Sequence, residues 1–389
     1  MDIKDTALPL DAAGLSTFLR SLAARPLLLG LGEARHFVDE LGELRNEMFR
    51  RLVEHEGYRS FAVESDCLMG LVVDDYIATG AGALDDVMER GFSHGFGAVP
   101  ANRELVRWMR AYNEEHGEKL RFFGFDGPLE YWAASPRQAL TGLHALLDGP
   151  LPCTRETLDA LLGPDDRWSN EATAMDPSLS IGRSADAQRL RVIADDLVAL
   201  LDTQAPRLSA QERELAGLYG RTAVGLLRYH HWMADASPAR WTRLSALRDA
   251  MMAANLRAIA EHSGPALVFA SNLHLQRNKS VMSFGDQRLE WWSAGAITAT
   301  HLGDRYAFLA SAFGTAGDDI PSPDTVEGVL CTLPWDRSIV DARRLAEAVT
   351  EPTPRVSHDF AYFPLDPSQL DLIDGIVFLK QAVRMAPLG

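Results

Sequence analysis

The strongest constraint on this chain is a set of short apolar runs, rich in β-branched and aromatic residues, that stop abruptly at a polar residue. They occupy residues 26–32, 60–63, 120–125, 266–270, 306–312 and 375–379. Such runs read as strands buried on both faces, the hallmark of a parallel sheet. Between them lie helix-period segments at 38–56, 102–116 and 244–262, followed by Gly57, Gly117 and Gly264 as stops. The alternation predicts an α/β fold with a mostly parallel central sheet flanked by helices. From about Leu129 to His231 the strand signals vanish and amphipathic helices take over, notably at 185–201 and 211–228. We read 129–235 as a large helical insertion, a cap or cleft wall, within one domain spanning 1–389. Segments 318–324 and 351–357 read as proline-bearing loops.

Ligands of open α/β sheets bind outside the carboxyl ends of the strands, so the residues that close each run are the candidates. The first run leads into Glu33-Ala34-Arg35-His36-Phe37 and the second into Glu64-Ser65-Asp66. The third ends at Asp126, and a later one at Ser271-Asn272-Leu273-His274. Two histidines and four carboxylates thus converge on one edge. Histidine titrates near neutral pH, and a neighbouring carboxylate fixes its tautomer and raises its basicity. An acid–base centre built on Glu33, His36 and Glu64 is expected. Taken singly, each residue has a plainer reading. A histidine after a strand is often a satisfied loop residue, and Glu33 or Asp66 could be a helix N-cap.

Three rival patterns stand in the sequence. Gly91-Phe92-Ser93-His94-Gly95 has the spelling of a nucleophile elbow, but that motif needs a strand immediately before it, and 84–90 reads as helix. Glu33, His36, Glu40, Glu64 and His274 are metal-ligand types, yet their spacing lacks the paired histidines of zinc helices. No metal or other cofactor is expected. Tyr229-His230-His231-Trp232 falls in the helical insertion, where packing or cleft lining is the expected role.

The formal charge is −16, from 38 basic and 54 acidic residues, so the surface as a whole repels nucleic-acid phosphates and anionic membranes. The partner expected instead is a small, largely apolar molecule. Three separated cysteines give neither a disulfide framework nor a zinc pair. The first residues lack a signal-peptide pattern, and no run of about 18 apolar residues occurs. A cytoplasmic location is expected.

Gly30-Leu31-Gly32-Glu33-Ala34-Arg35-His36 resembles the opening G-x-G-E-x-x-H of the erythromycin esterase family. Gly57 to Asp66 is similar to that family's second strand, which ends in glutamate. Trp108 to Asn113, Phe122 to Asp126, Arg248 to Asn255 and Ile373 to Leu379 follow in the family's order, so the likeness spans about 25–380. The resemblance implies hydrolysis of an ester, in some members a macrolide lactone, by water activated at histidine, with no covalent serine and no required metal. His36 is then the general base and Glu64 its companion, while Glu33 positions His36 or the water. Arg45 anchors the carboxylates or the oxyanion, and His274 donates a proton or stabilises the oxyanion. Asp126, Ser271, Phe37, Arg35 and Asp66 would line the substrate site.

The chain departs from the family pattern where Ser271-Asn272-Leu273-His274 stands in place of His-Asn-x-His. A hydroxyl cannot replace an imidazole as an acid or base at neutral pH. Phe37, where the family has a small residue, and the bulky Arg35 would alter pocket shape and charge. A non-hydrolytic tailoring step in biosynthesis is therefore the alternative to hydrolysis. A pure binding protein is a third reading, but it has no need of so many ionisable groups in one pocket.

Overall fold

The computed structural model describes residues 2–130, 133–316, 319–357, 359 and 361–382. Its strands are β1 (Ala7–Pro9), β2 (Leu28–Glu33), β3 (Ser60–Asp66), β4 (Arg121–Asp126), β5 (Ala266–Ser271), β6 (Lys279–Phe284), β7 (Gln287–Trp292), β8 (Tyr306–Ala316), β9 (Arg337–Asp341) and β10 (Gly375–Ala382). Eight of them form one sheet in the order β1-β9-β10-β8-β2-β5-β3-β4, and β6 and β7 form a separate hairpin. From β10 to β4 every pairing is parallel, whereas β9 runs antiparallel to both β10 and β1. The expected α/β class with a mostly parallel sheet is what the chain adopts.

Strands β2, β3 and β5 are buried at every residue, which is why their sequences do not alternate and turn polar mainly at their carboxyl ends. Successive side chains leave opposite faces of a strand. Leu29, Leu31, Phe61, Val63, Leu267 and Phe269 join one core with helices Asp39–His55 and Pro100–Glu115. Leu28, Ala62, Ala266, Val268 and Ala270 join the other, against Met252, Leu256 and Ile259 of helix Arg240–His262. The helix Asp39–His55 is followed by Gly57 at a φ of +69°, a left-handed conformation that costs glycine little.

After β2 the chain moves outward through β3 and β4, then returns to insert β5 beside β2, and finally turns the other way to β8. The reversal makes β2 and β5 the switch point of the sheet, where a crevice opens past the strand ends. Between β4 and β5 lie helices Arg137–Leu146, Arg155–Leu162, Ala185–Gln204 and Ala210–Met233. They share an apolar cluster of their own around Leu140, Leu158, Leu190, Leu197 and Leu227. Ser209 and Glu212 form a reciprocal capping box at the start of the last one.

The strands run further than their apolar runs. Strand β3 continues to Asp66 and β8 to Ala316, so Glu33, Glu64, Asp66, Asp126 and Ser271 are strand residues rather than members of the following loops. Apolar patterning ends where side chains turn polar, but ladder hydrogen bonding does not. The edge strand β1, its neighbour β9 and the hairpin β6–β7 carry no such run and fall outside the sequence-based expectation. The hairpin strands alternate between buried and exposed residues at β7, and Gly285 turns between them at a φ of +56°, a signal for a hairpin that sequence reading passed over. Asp318, the start of one expected loop, lies outside the described residues. Among the described residues no helix is long and apolar enough to cross a membrane.

Candidate active site

Strand β2 delivers Glu33 as its last residue, and the turn after it presents His36. Gly32 permits this end of the strand to be crossed closely, because a Cβ there would lie 2.1 Å from Asn272 Oδ1. Asn272 in turn accepts from Ser311 N at 3.2 Å and donates to Ser311 O at 3.0 Å, tying β5 to β8 across β2. Phe37 has a φ of +62°, a strained conformation for a bulky residue of the kind that collects at functional turns. His36 Nδ1 lies 2.7 Å from Glu33 Oε2, and its side chain remains 31% exposed. The ring of Phe96 lies 5.7 Å from that of His36, 5.5 Å from Phe37 and 6.0 Å from His94.

Beside this pair runs a row of alternating charges. His274 Nδ1 lies 2.6 Å from Asp249 Oδ1, and its Nε2 lies 3.3 Å from Glu64 Oε1. Glu64 also accepts from Arg248 at 3.2 Å and, through Oε2, from the Ser271 backbone N–H at 2.8 Å. Arg248 forks onto Asp126 at 2.6 and 3.0 Å. Asp126 lies 3.2 Å from His94 Nε2, whose Nδ1 lies 2.8 Å from Glu130. Asp249 is further held by the Trp291 indole N–H at 2.9 Å. Each buried carboxylate thus meets a cation, as burial of charge requires.

The electrostatics separate the two imidazoles. Burial alone would lower the pKa of His36, but the charge and hydrogen bond of Glu33, with Glu64 beyond, hold it above the ordinary histidine value. Burial opposes charge on His274 too, and Asp249 and Glu64 overcome it, pushing the pKa up to about 10. Glu64, despite burial, is held well below the carboxylate range by His274, His36 and Arg248. Asp126 is held low by Arg248 and His94 against the same penalty. His94 rises to about 9 through its bonds to Asp126 and Glu130, again against burial. At neutral pH the centre therefore holds Glu64 and Asp126 as carboxylates and His94 and His274 as imidazolium ions, beside a His36 whose pKa is raised by Glu33.

Glu33, His36, Glu64, His274 and Asp126 are brought to one edge as the sequence suggested. Arg45, Arg35, Asp66 and Ser271 are nearby but already engaged within the protein. Arg45 donates to Asn46 at 2.8 Å and to Asn102 at 2.8 Å and lies over the rings of Phe61 and Phe269. Burial lowers its pKa to about 10, and its charge reaches Glu33 without a direct hydrogen bond. A cavity of about 20 Å³, room for about one water molecule, is lined by Arg45, Glu33, Glu64, Phe37 and Phe96. Arg35 pairs with Asp359 and donates to the His36 carbonyl at 3.0 Å, pinning the turn to the C-terminal loop. Asp66 accepts from Leu68 N at 2.7 Å and Met69 N at 3.2 Å, bracing the turn ahead of helix Gly70–Thr79 rather than capping the helix, whose N-cap is Met69, and burial raises its pKa to about 6. The Ser271 hydroxyl caps the short helix Asn272–Leu275 through Leu273 N.

Ser93 follows helix Leu84–Arg90, not a strand, and its hydroxyl accepts from Asp66 N at 2.9 Å. His230 is buried, hydrogen-bonds the Ala134 carbonyl at 2.8 Å, and is driven down to about 4 by burial. Packing is its role. Among the described residues no group of three His, Cys, Asp or Glu side chains could hold a metal ion.

Sequence reading missed Asp249, Arg248, His94 and Glu130 as site residues. Arg248 and Asp249 lie in the middle of helix Arg240–His262, where Asp249 is fully buried, so adjacent charges within a helical pattern were the available signal. His94 stands out in the sequence only as part of the elbow spelling.

The family model described as erythromycin esterase matches residues 53–382, so the turn carrying Glu33 and His36 lies before the matched stretch. The chain is 24% identical over 318 residues to erythromycin esterase type I of Escherichia coli, covering 78% of this chain and 73% of that protein. It is 31% identical over 110 residues to erythromycin esterase type II of Escherichia coli, a match spanning 28% of this chain and only 26% of that relative's length. A solved erythromycin esterase variant in an open conformation superimposes with a TM-score of 0.71 at 18% identity, covering 98% of this chain and 96% of that one. At that identity the superposition speaks for the fold.

Proposed function

The chain belongs to the erythromycin esterase family, and on that premise we propose that it hydrolyses an ester or lactone of a small, largely apolar metabolite. The attacking water is activated at His36, with no covalent serine and no required metal. The observation that carries this reading is the contrast between two imidazoles at one sheet edge. His36 is 31% exposed with a single carboxylate partner, whereas His274 is 11% exposed and bracketed by two. Environments that push pKa values apart separate a base from an acid.

With Nδ1–H directed at Glu33, the Nε2 lone pair of His36 is free to take a proton from water. That water attacks the acyl carbon as Glu33 stabilises the imidazolium formed. The cationic His274 and Arg248 stabilise the oxyanion of the tetrahedral intermediate. Collapse breaks the ester C–O bond, and His36 returns its proton to the departing alkoxide. Glu64 is a positioning residue that stays ionised and aligns His274 and Arg248. Glu130, at the start of the helical insertion, holds His94 and supports the reading of 129–235 as a cleft wall.

The test is turnover of a panel of macrolides and simpler lactones in ¹⁸O-labelled water, read by mass spectrometry. One labelled oxygen in the product acid is expected. A second reading, a non-hydrolytic biosynthetic step at the same centre, is favoured by Ser271, whose hydroxyl is committed to a helix cap. Product without label would favour it and remove the hydrolase.

A pH profile follows from the same charges. Activity requires neutral His36 and charged His274. Accordingly kcat/KM is expected to rise through a pKa above the ordinary histidine value of about 6.5, level off, and fall as His274 deprotonates near 10. A rate that instead declines between about pH 6 and 8 would exclude His36 as the base.

A further inference from the structure

Where helix Ala210–Met233 lies beside the edge strand β4, a cavity of about 360 Å³ is lined by Leu71, Phe123, Leu215, Leu218, Tyr219 and Ile259. Its size and mostly apolar walls are those of a small-molecule site. No group assigned to catalysis borders it.

The charged side chains along its wall are unequally occupied. Arg121 bridges Asp74 at 2.9 Å and Glu214 at 3.3 Å, and Asp74 also accepts from Phe122 N at 2.8 Å. Asp75 is exposed. Arg221 differs. Among the described residues it has no ion pair within 4.0 Å, and its one hydrogen bond runs from Nε to Asn255 Oδ1 at 3.2 Å. Its terminal nitrogens are left without a protein acceptor. Burial holds this guanidinium below its ordinary pKa, with Glu261 and Glu214 opposing at longer range and Arg257 reinforcing. A half-buried, unpaired guanidinium at an apolar wall is relieved by a ligand anion, and its planar fork fits a carboxylate.

We propose that this cavity binds an apolar molecule with a single carboxylate head, of medium-chain fatty-acid dimensions, with Arg221 as its counter-ion and Leu71, Leu215, Leu218 and Phe123 around its tail. The pairing gives a chain of formal charge −16 a local counter-charge for an amphipathic acid.

Calorimetric titration of octanoate, with octanamide as its neutral counterpart, tests the assignment on the full chain. Octanoate is expected to bind about 10–100-fold more tightly than octanamide, the range of a charged hydrogen-bonded pair. Arg221→Met should bring octanoate to the octanamide level. Ala78→Trp, at an exposed position on the cavity wall, should weaken both ligands at least about tenfold. His36→Ala should leave octanoate binding unchanged, which separates this cavity from the hydrolytic centre. Equal affinity for acid and amide, or indifference to Arg221→Met, would overturn the proposal, as would no heat at millimolar octanoate. Binding that falls with Arg221→Met yet survives Ala78→Trp would put the ligand in the neighbouring cavity of about 240 Å³, which Arg221 shares with Leu247 and Met251, and would equally overturn it. Should Arg221→Met fail to fold, Ala78→Trp and the acid–amide comparison still decide.

Discussion

Replacing His36 with alanine is expected to lower kcat about 10²–10⁴-fold, the contribution of a well-positioned general base. The thermal midpoint should move little, because the ring is 31% exposed and its polar contact is the single bond to Glu33. Initial rates on whichever lactone incorporates labelled water, paired with a thermal melt, make the measurement. Retained activity with a large loss of stability would make His36 a structural residue. Glu33→Gln gives the sharper control. Removing that carboxylate charge takes away the largest influence raising the His36 pKa, so the acidic limb of the pH profile should slide toward the ordinary histidine value. An unmoved limb would mean that Glu33 does not tune the base.

Arg248→Met should have the opposite signature, a large loss of stability together with the loss of activity. Arg248 is the shared counter-ion of Asp126, whose side chain is 0% exposed, and Glu64, at 6%. Removing one partner from a buried ion cluster costs about 3–5 kcal/mol, because the remaining carboxylates stay desolvated with the imidazoles of His274 and His94 alone to balance them. Denaturant unfolding of both proteins across pH checks the cause. Burial opposes both carboxylates, but Arg248 and the neighbouring histidines hold their folded pKa values below the unfolded ones. A depressed carboxylate pKa contributes stability that is present above the unfolded value, about 4, and lost as pH falls through the folded value. The deficit of the variant should therefore be greatest near neutrality and shrink below about pH 4. Arg248→Lys, which keeps the charge but loses the fork, should fall between the two. A variant as stable as the parent at pH 7 would show that the row of charges is not the cluster described here.

Much of this molecule is written in local pattern. Continuous apolar runs predicted β2, β3, β4, β5, β8 and β10, because a strand covered on both faces cannot carry polar residues along its length. The strand ends pointed to Glu33, His36, Glu64, Asp126 and His274 for the complementary reason, since polarity returns only where the sheet meets the crevice. Strands β1 and β9 escaped notice because they are short, three and five residues, too few to stand out as continuous apolar runs.

What the residues by themselves determined is the sheet, its helices and the identity of the groups at its carboxyl edge. Which charge meets which was decided by the tertiary structure alone. Arg248 reaches Asp126 across 122 positions of chain and Glu64 across 184, and Asp249 reaches His274 only because helix Arg240–His262 lies against β5 in one rotational setting. Apolar burial sets that helix on the sheet through Met252, Leu256 and Ile259, and burial is non-directional. The pairing of ions that follows is directional and short-ranged, so it exists only once the packing has brought the partners within hydrogen-bond reach.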